Sequence, residues 1–171
     1  MEDKRLNDLL RWSIENSENS RQDPAAEAPQ TNLTPDVISA LMGGPSEADL
    51  MKASIEIITS KDGDVTLDDK LIAFDNFEQL IENLDNANNI ENMGLWTPLL
   101  AQLTDEESEV RKMASWCIGT AVQNNAKTQE RLHANGGIPP LVHLAIKEDE
   151  TEAVRRKAIY ALRSAIRNYQ P

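Results

Sequence analysis

The sequence predicts an all-α fold of stacked helical repeats, and two observations carry that prediction. A helix with a small residue, an apolar run and a closing asparagine occurs three times along the chain. The three copies span residues 70–83, 110–125 and 154–168. Their offsets of 41 and then 44 residues are typical of paired or tripled helices that stack into a solenoid. The composition agrees, because 40% of residues are hydrophobic and only 4% are aromatic, which suits aliphatic helix packing.

The amino-terminal third of the chain divides into a tail and a short helical segment. Residues 4–16 have the apolar spacing of an amphipathic helix, and the polar stretch 17–32 has no periodicity, as in a flexible linker. A threonine-proline pair and a serine cap then predict short helices between residues 34 and about 60. We therefore expect a flexible tail over 1–33 and short helices over 34–65 that lead into the core.

The repeats occupy residues 66–171, where helices of three lengths follow one another twice. A long amphipathic helix from Thr66 has one acidic face, and short and medium helices are predicted at 87–93 and 96–103. The same order returns with helices at 127–133, 138–145 and from Thr151. Short, medium and long helices in this order are typical of an armadillo repeat. We expect a right-handed superhelical solenoid of about three repeats, with the last one incomplete.

The charge distribution limits the partners of this chain. The net charge is −12, and residues 47–109 contain 16 Asp or Glu against 3 Lys. Such a field repels phosphate backbones, so nucleic acid is not an expected partner. No apolar run is long enough for a membrane span, the start lacks a secretory signal, and a single cysteine fits the cytosol or nucleus.

Catalytic and metal chemistry find no support in the residue pattern. Cys117 lies among apolar neighbours on a core helix, and Trp116 beside it is expected in the core as well. His133 and His143 lie on different helices, without metal-ligand spacing around them. The acidic stretch 62–69 lacks the glycine and the closing glutamate of a calcium loop. We expect that the protein is not an enzyme and that it binds neither a cofactor nor a metal ion.

Three stretches make the armadillo prediction more specific. They are LIAFDNFEQLIENLDNANNIENMGLWTPLL (71–100), GTAVQNN (119–125) and LLRWSIENS (9–17). Together they closely resemble the armadillo-type nucleotide exchange factors of heat-shock protein 70 chaperones. The resemblance implies a monomeric co-chaperone, cytoplasmic and in part nuclear, that grips the chaperone's ATPase domain and promotes ADP release. Family members carry further repeats, so a shortened isoform without exchange activity stays open.

The resemblance also implies where the chaperone is bound. The polar faces of the long helices and the turn after the first one supply the expected contact residues. These are Glu78, Glu82, Asn83, Asn86, Ala87, Asn88, Asn124, Asn125 and Asn168. The most specific of these predictions is that the chaperone contacts Ala87, since a small side chain at a helix junction would let a partner's backbone approach closely. The alternative for the asparagines is that they simply cap helices.

The amino-terminal helix has a separate implied role. Apolar residues flanked by basic ones resemble a chaperone substrate, so this segment would release clients by occupying the chaperone's substrate-binding domain. Its expected residues are Leu6, Leu9, Leu10, Arg11 and Trp12. The alternative is an amphipathic helix that docks on the repeats.

A peptide-binding adaptor of the nuclear-import type is the rival function. In the family that these adaptors belong to, the third helix of each repeat carries a Trp followed by an Asn four residues later, and these pairs form a ladder along the groove. Here Trp116 is followed at that spacing by Thr120 and Tyr160 by Ser164, so the ladder is absent. The acidic face would still attract basic peptides, which keeps this alternative open at the level of sequence.

Overall fold

The computed structural model describes residues 44–169, and every regular element in that range is helical. The helices are α1 (Glu47–Thr59), α2 (Leu67–Ile81), α3 (Leu84–Asn92), α4 (Trp96–Ala101), α5 (Ser108–Val122), α6 (Ala126–Ala134), α7 (Ile138–Ile146) and α8 (Glu152–Ile166). A 3-10 turn, Gln102–Thr104, follows α4. Among these described helices, none has the length and apolar character needed to cross a membrane. The all-α prediction is confirmed.

The predicted order of short, medium and long helices is present twice, as α3–α4–α5 and α6–α7–α8. Helix α2 has the same length of 15 residues as α5 and α8, and the three long helices pack side by side in chain order. In front of α2, however, stands the single helix α1 in place of a short and a medium helix. The described chain therefore holds two full units and the long helix of a preceding one.

The ends of the helices follow the local sequence. Thr66 caps α2 through a capping box in which its hydroxyl accepts from the Asp69 amide and the Asp69 carboxylate accepts from the Thr66 amide. Thr151 caps α8 through its hydroxyl alone, which accepts from the Val154 amide. The acidic stretch 62–69 is thus a turn followed by a helix cap. Gly94 and Gly136 end α3 and α6 with φ values of 68° and 71°.

The core lies between the long helices and the shorter helices that follow them. Phe74 and Phe77 of α2 pack with Ile118 of α5, and Ala158 of α8 continues the same cluster. Cys117 is fully buried there, with its Sγ 3.6 Å from the Phe74 carbonyl oxygen. Burial raises the pKa of the Cys117 thiol well above its ordinary value, and the nearby Glu78 carboxylate adds to the effect. This cysteine is the small buried hydrophobe that the sequence predicted.

A buried ion pair fixes α8 to α5. The Arg111 guanidinium donates to both Glu150 carboxylate oxygens, at 2.7 and 2.8 Å, and its Nη1 also donates to the Asp105 and Glu106 carbonyl oxygens. This bond raises the pKa of Arg111 and lowers that of Glu150. Since Glu150 immediately precedes the cap of α8, the pair sets the position at which α8 begins.

Three local predictions were wrong. The helix predicted from Ala87 begins three residues earlier, at Leu84, because the Asn83 side chain accepts from the Asp85 amide and caps it. Leu84 continues the apolar spacing of the first long helix in the sequence, which predicts it on the buried side of that helix, yet α2 ends at Ile81 and the Leu84 side chain is exposed. Trp116 was assigned to the core, but it is only partly buried and lies in a groove described below.

The predictions for residues 1–43 lie outside the described residues. They include the tail and its amphipathic helix, with the expected client-release residues.

Candidate functional site

A groove crosses α2, α5 and α8 on the face that their polar side chains share. Its main part has a volume of about 480 Å³ and is lined by Glu78, Glu82, Trp116, Thr120, Gln123, Asn124 and Tyr160. A smaller part of about 180 Å³ continues between α5 and α8 and adds Arg163, Ser164 and Arg167 to the lining. We call the two parts together the long-helix groove. Three helices that are far apart in the chain build it, so its floor depends on their packing.

Two aromatic residues that line the groove, Trp116 and Tyr160, lie close to one lysine, Lys157. The Lys157 Nζ lies 3.8 Å from the centroid of the Trp116 ring and 5.7 Å from that of Tyr160. Partial burial lowers the pKa of Lys157, while the Glu78 carboxylate acts in the opposite direction. Trp116 is therefore a lining residue of an open groove, with a cation over its ring, and is not part of the closed core.

Gly119 gives Tyr160 its place in the groove. A Cβ atom at this position would lie 2.4 Å from the Tyr160 Cε1 and 3.2 Å from the Ala161 Cα. The absence of a side chain thus lets α8 approach α5 closely. The Tyr160 hydroxyl then reaches across and donates to the Gln123 Oε1 at 3.1 Å.

Glu78 is a buried carboxylate on the α2 side of the groove. It is 6% exposed, and its Oε1 accepts from the Thr120 hydroxyl at 2.7 Å. The bond joins two neighbouring long helices, so Glu78 acts first as a link between repeats. Glu82, the residue directly after α2, is exposed and is the carboxylate within reach of a partner.

The asparagines after the long helices fall into two structural classes. Asn83 and Asn125 are N-caps, of α3 and α6 respectively. Asn124 and Asn168 have φ values of 54° and 59°, the left-handed conformation common just past a helix end. The Asn168 Nδ2 donates to the Asn124 Oδ1 at 3.3 Å, so these two form an exposed amide pair along the groove edge.

The two classes arise from linker length. Two residues separate α2 from α3, whereas three separate α5 from α6. The first junction therefore lacks the left-handed residue, and Asn83 corresponds in structure to Asn125 although the spacing had aligned it with Asn124. Asn83 and Asn125 thus cap the following helices, as the alternative for the asparagines predicts, whereas the exposed Asn124 and Asn168 cap no following helix.

The turn that follows α2 is mostly structural. The Asn86 Nδ2 donates to the Glu47 Oε2 at 2.6 Å and to the Leu80 carbonyl oxygen at 2.9 Å, and its side chain is buried. Ala87 is only 3% exposed. Asn88 is half-buried and accepts from the Asn125 Nδ2 at 3.2 Å. The expected close approach of a partner at Ala87 therefore has almost no exposed surface available.

The expected contact residues thus separate by accessibility. Exposed ones are Glu82, Asn83, Asn124 and Asn168, while Glu78, Asn86, Ala87 and Asn125 are buried. Sequence reasoning missed the groove centre of Trp116, Lys157 and Tyr160. The available signal was that Trp116 and Tyr160 are 44 residues apart, which places them at equivalent points of two repeats.

The charge of the groove changes from one side to the other. Its α2 side is lined by Glu78 and Glu82, and its α8 side is lined by Arg163 and Arg167. Within residues 44–169, His, Cys, Asp and Glu side chains nowhere form a group of three that could hold a metal ion. A surface with both signs of charge and a central aromatic pair is suited to binding another protein.

Comparisons with known proteins assign this chain to a family. The family "Nucleotide exchange factor Fes1" matches residues 6–90, and the "SIL1/FES1/HPBP1 C-terminal domain" matches residues 86–171. The two matches meet within α3, so together they cover nearly the whole chain.

Fungal relatives agree with both matches. The chain is 70% identical to the "Hsp70 nucleotide exchange factor FES1" of Gibberella zeae, covering 100% of this chain and 81% of the relative. It is 51% identical to the protein of Neurospora crassa named "Hsp70 nucleotide exchange factor fes-1", with 99% and 81% covered. It is 46% identical to the FES1 protein of Eremothecium gossypii, where 95% of this chain matches 55% of the relative.

These similarities favour a nucleotide exchange factor over the alternative of a nuclear-import peptide adaptor. They also agree with the resemblance that residues 71–100 carry in the sequence. The chain belongs to the Fes1 family of nucleotide exchange factors.

Proposed function

We propose that this chain binds the ATPase domain of a heat-shock protein 70 chaperone through the long-helix groove and promotes the release of ADP. The relatives named above are Hsp70 nucleotide exchange factors, and they match the full length of this chain. The groove is the observation that carries the proposal. It joins three long helices into one surface with exposed charges of both signs and an aromatic centre.

Exchange by this route needs no covalent chemistry. A rigid factor that fits only the open form of the ATPase domain shifts that domain away from its closed, nucleotide-holding form. If the factor weakens nucleotide binding about 100-fold, the coupling free energy is about 2.7 kcal/mol, and nucleotide must weaken the factor by the same amount. Binding of fresh nucleotide then ejects the factor and closes the cycle.

The contact surface that we propose is the accessible part of the expected set together with the groove centre. Glu82 and Asn83 supply the α2 side, and Asn124 and Asn168 supply the exposed amide pair. Gln123 lies between them and is also exposed. The buried residues Glu78, Asn86, Ala87 and Asn125 hold these side chains in place through the hydrogen bonds and packing described above.

The amino-terminal segment has a second proposed role. Leu6, Leu9, Leu10, Arg11 and Trp12 would occupy the substrate-binding domain of the chaperone and displace its client. Replacing Leu9 and Leu10 by aspartate in the full chain tests this role. We expect ADP release at the normal rate and client release that is slower, whereas slower ADP release would place the segment in the exchange surface instead.

We further propose that one copy of the chain engages one chaperone, and that it does so in the cytoplasm with a share in the nucleus. The proposed compartment rests on the relatives and on the single, buried cysteine, which needs no oxidising environment. Imaging of a tagged full chain tests the compartment.

The test of the main proposal is the release of fluorescent ADP from a cytosolic Hsp70 ATPase domain, measured with and without the chain. We expect release to accelerate with chain concentration and then to saturate. A folded, helical chain that leaves the release rate unchanged at saturating concentration would contradict the proposal and favour an isoform without exchange activity.

A further inference from the structure

The smaller part of the long-helix groove, between α5 and α8, is lined by polar side chains only. We call it the α5–α8 cleft. Its volume of 180 Å³ corresponds to roughly six water molecules of the liquid. The described residues that line it are Gln123, Asn124, Tyr160, Arg163, Ser164 and Arg167, and no carboxylate is among them.

The two arginines of the cleft stand where the first long helix has glutamates. Counted from the starts of α2 and α8, Glu78 corresponds to Arg163 and Glu82 to Arg167. Helix α5 lies between these two helices and keeps the opposite charges apart. Within residues 44–169 neither arginine forms a salt bridge, although three other arginines do, namely Arg111 with Glu150, Arg131 with Glu91 and Arg156 with Glu152.

The two amide side chains of the cleft have their oxygen atoms occupied. The Gln123 Oε1 accepts from the Tyr160 hydroxyl at 3.1 Å, and the Asn124 Oδ1 accepts from the Asn168 Nδ2 at 3.3 Å. Their NH₂ groups therefore remain as donors toward the cleft. Ser164 is only 6% exposed, and its hydroxyl has no partner among the described residues. A cleft that offers mainly donors requires a ligand that accepts hydrogen bonds.

The carbonyl oxygens at the ends of α5 and α8 do not occupy the arginines. Basic side chains in the last turn of a helix often satisfy its unpaired carbonyl groups. Here other donors do so: the Gln129 Nε2 donates to the Ser164 and Arg167 carbonyl oxygens at 2.9 and 3.0 Å. On α5, the Ala121 carbonyl oxygen accepts from the Thr128 hydroxyl at 2.7 Å. The guanidinium groups thus remain available to a ligand.

The cleft lies between two long helices that the structure describes, so its opening does not depend on where the sequence stops. The equivalent place between α2 and α5 has Glu82 and Thr120 in its lining. It is open as well, although the chain continues past α5 through α6, α7 and α8. An open cleft between neighbouring long helices is therefore a property of the repeat.

We propose that the α5–α8 cleft binds an oxyanion, which Arg163 and Arg167 hold by charge and which the amide and hydroxyl donors orient. Guanidinium groups donate to carboxylate and phosphate oxygens with the same fork geometry. The oxyanion is a free phosphate or a carboxylate of the chaperone. The second source rests on the function proposed above, whereas the binding of free phosphate does not.

Titration of the full chain with sodium phosphate tests the site without any partner. Sodium chloride keeps the ionic strength constant, and NMR follows the side-chain NH₂ signals of Gln123 and Asn124. We expect saturable shifts with a dissociation constant on the order of 1 mM. A chain with Arg163→Gln and Arg167→Gln should bind phosphate about tenfold more weakly or worse.

A matched control separates the cleft from the general charge of α8. A chain with Arg155→Gln and Arg156→Gln loses the same two charges from the same helix, at positions outside the cleft lining. It should bind phosphate like the unchanged chain. Circular dichroism checks that each variant is folded. If the first variant loses helicity, Arg167→Gln alone replaces it, since Arg167 is exposed and lies just after α8.

Competition with the chaperone identifies the source of the oxyanion. If a chaperone carboxylate fills the cleft, phosphate should weaken binding of the Hsp70 ATPase domain relative to chloride. The chain with Arg163→Gln and Arg167→Gln should then bind about tenfold more weakly and lose this dependence on phosphate. If free phosphate is the ligand, that chain should bind the chaperone like the unchanged one. Either result supports an oxyanion site.

Two results would overturn the proposal. One is the absence of saturable shifts in the unchanged chain, and the other is equal phosphate binding by the two doubly substituted chains. Because the titration contains no chaperone, such a failure would leave the exchange function untouched. A chain that binds phosphate and does not accelerate ADP release would contradict the exchange function alone.

Discussion

The two sides of the long-helix groove are built differently. Between α5 and α8 the side chains interlock: Lys157 lies over Trp116, and Tyr160 fits against Gly119. On the α2 side the surface residues Glu82 and Asn83 are exposed, and the contacts that hold them lie beneath.

This difference separates two kinds of contribution to binding. A substitution on the α8 side changes the shape of the groove, so it affects both stability and partner binding. A substitution of the exposed Glu82 on the α2 side leaves the fold intact and affects binding alone. The predictions below test this division, from the largest expected effect on stability to the smallest.

The largest effect is expected at Ala87, beneath the α2 side. Arginine at this 3% exposed position must place a charge in the core or push α3 away, so Ala87→Arg should lose about 4 kcal/mol of unfolding free energy. Urea denaturation followed by circular dichroism measures the loss. Ala134→Arg, at an exposed alanine in the last turn of α6, is the matched control and should cost less than about 0.5 kcal/mol.

This prediction differs from the one that the sequence supports. On sequence alone, Ala87→Arg is expected to abolish chaperone binding while leaving the helices intact. A variant of normal stability that fails to bind would restore Ala87 as a contact residue and would contradict the burial argument.

The second effect concerns the ion pair that positions α8. Glu150→Ala leaves Arg111 without its carboxylate partner and should cost about 3 kcal/mol of unfolding free energy. Asp149→Ala removes the neighbouring exposed carboxylate and should change stability by less than about 0.5 kcal/mol. An equal loss of unfolding free energy in both variants would mean that the Arg111–Glu150 pair stabilises the fold no more than an exposed carboxylate does.

The same pair predicts a pH dependence. The folded-state pKa of Glu150 lies below its ordinary value of 4.5, so the stabilisation is present above that value and is lost as the pH falls through the lowered pKa. The difference in unfolding free energy between the unchanged chain and Glu150→Ala should therefore shrink in acid. A difference that stays constant down to about pH 2 would contradict the assignment.

The third effect tests the close contact at Gly119. A Cβ atom there must displace the Tyr160 ring, so Gly119→Ala should lose about 1–2 kcal/mol, even though alanine favours the helix. Gly63→Ala is the control, because a Cβ at Gly63 meets no atom within 4 Å. It should be neutral or slightly stabilising. The expected loss at Gly119 should be accompanied by weaker chaperone binding, which a purely local effect on the helix would not produce.

Much of the fold follows from local sequence, and the groove does not. Thr66 and Thr151 predict the starts of α2 and α8, and Gly94 and Gly136 predict the ends of α3 and α6. These features are predictable because a helix cap or a terminating glycine acts on residues next to it in the sequence. Glu78 is different. Periodicity alone does not bury a glutamate, and the hydroxyl that satisfies it belongs to Thr120, 42 residues further along the chain.

Trp116 and the asparagines teach the same lesson. Trp116 lines a groove that three helices build, and the cation over its ring, Lys157, comes from another helix. The equivalence of Asn83 with Asn125 depends on a linker that is one residue shorter. Such features arise from tertiary contacts and local chain geometry, which the spacing of repeats does not contain.

The exposed α2 side supplies the most direct test of the account. Glu82→Arg reverses a charge in the groove without touching a buried contact, and Glu130→Arg makes the same change on α6, outside the groove lining. The measurement is ADP release from the Hsp70 ATPase domain over a range of chain concentrations. We expect Glu82→Arg to need about tenfold more chain for half-maximal acceleration, while its unfolding free energy stays within about 0.5 kcal/mol and Glu130→Arg behaves like the unchanged chain. Equal activity of the two variants would contradict the claim that the chaperone binds in the long-helix groove.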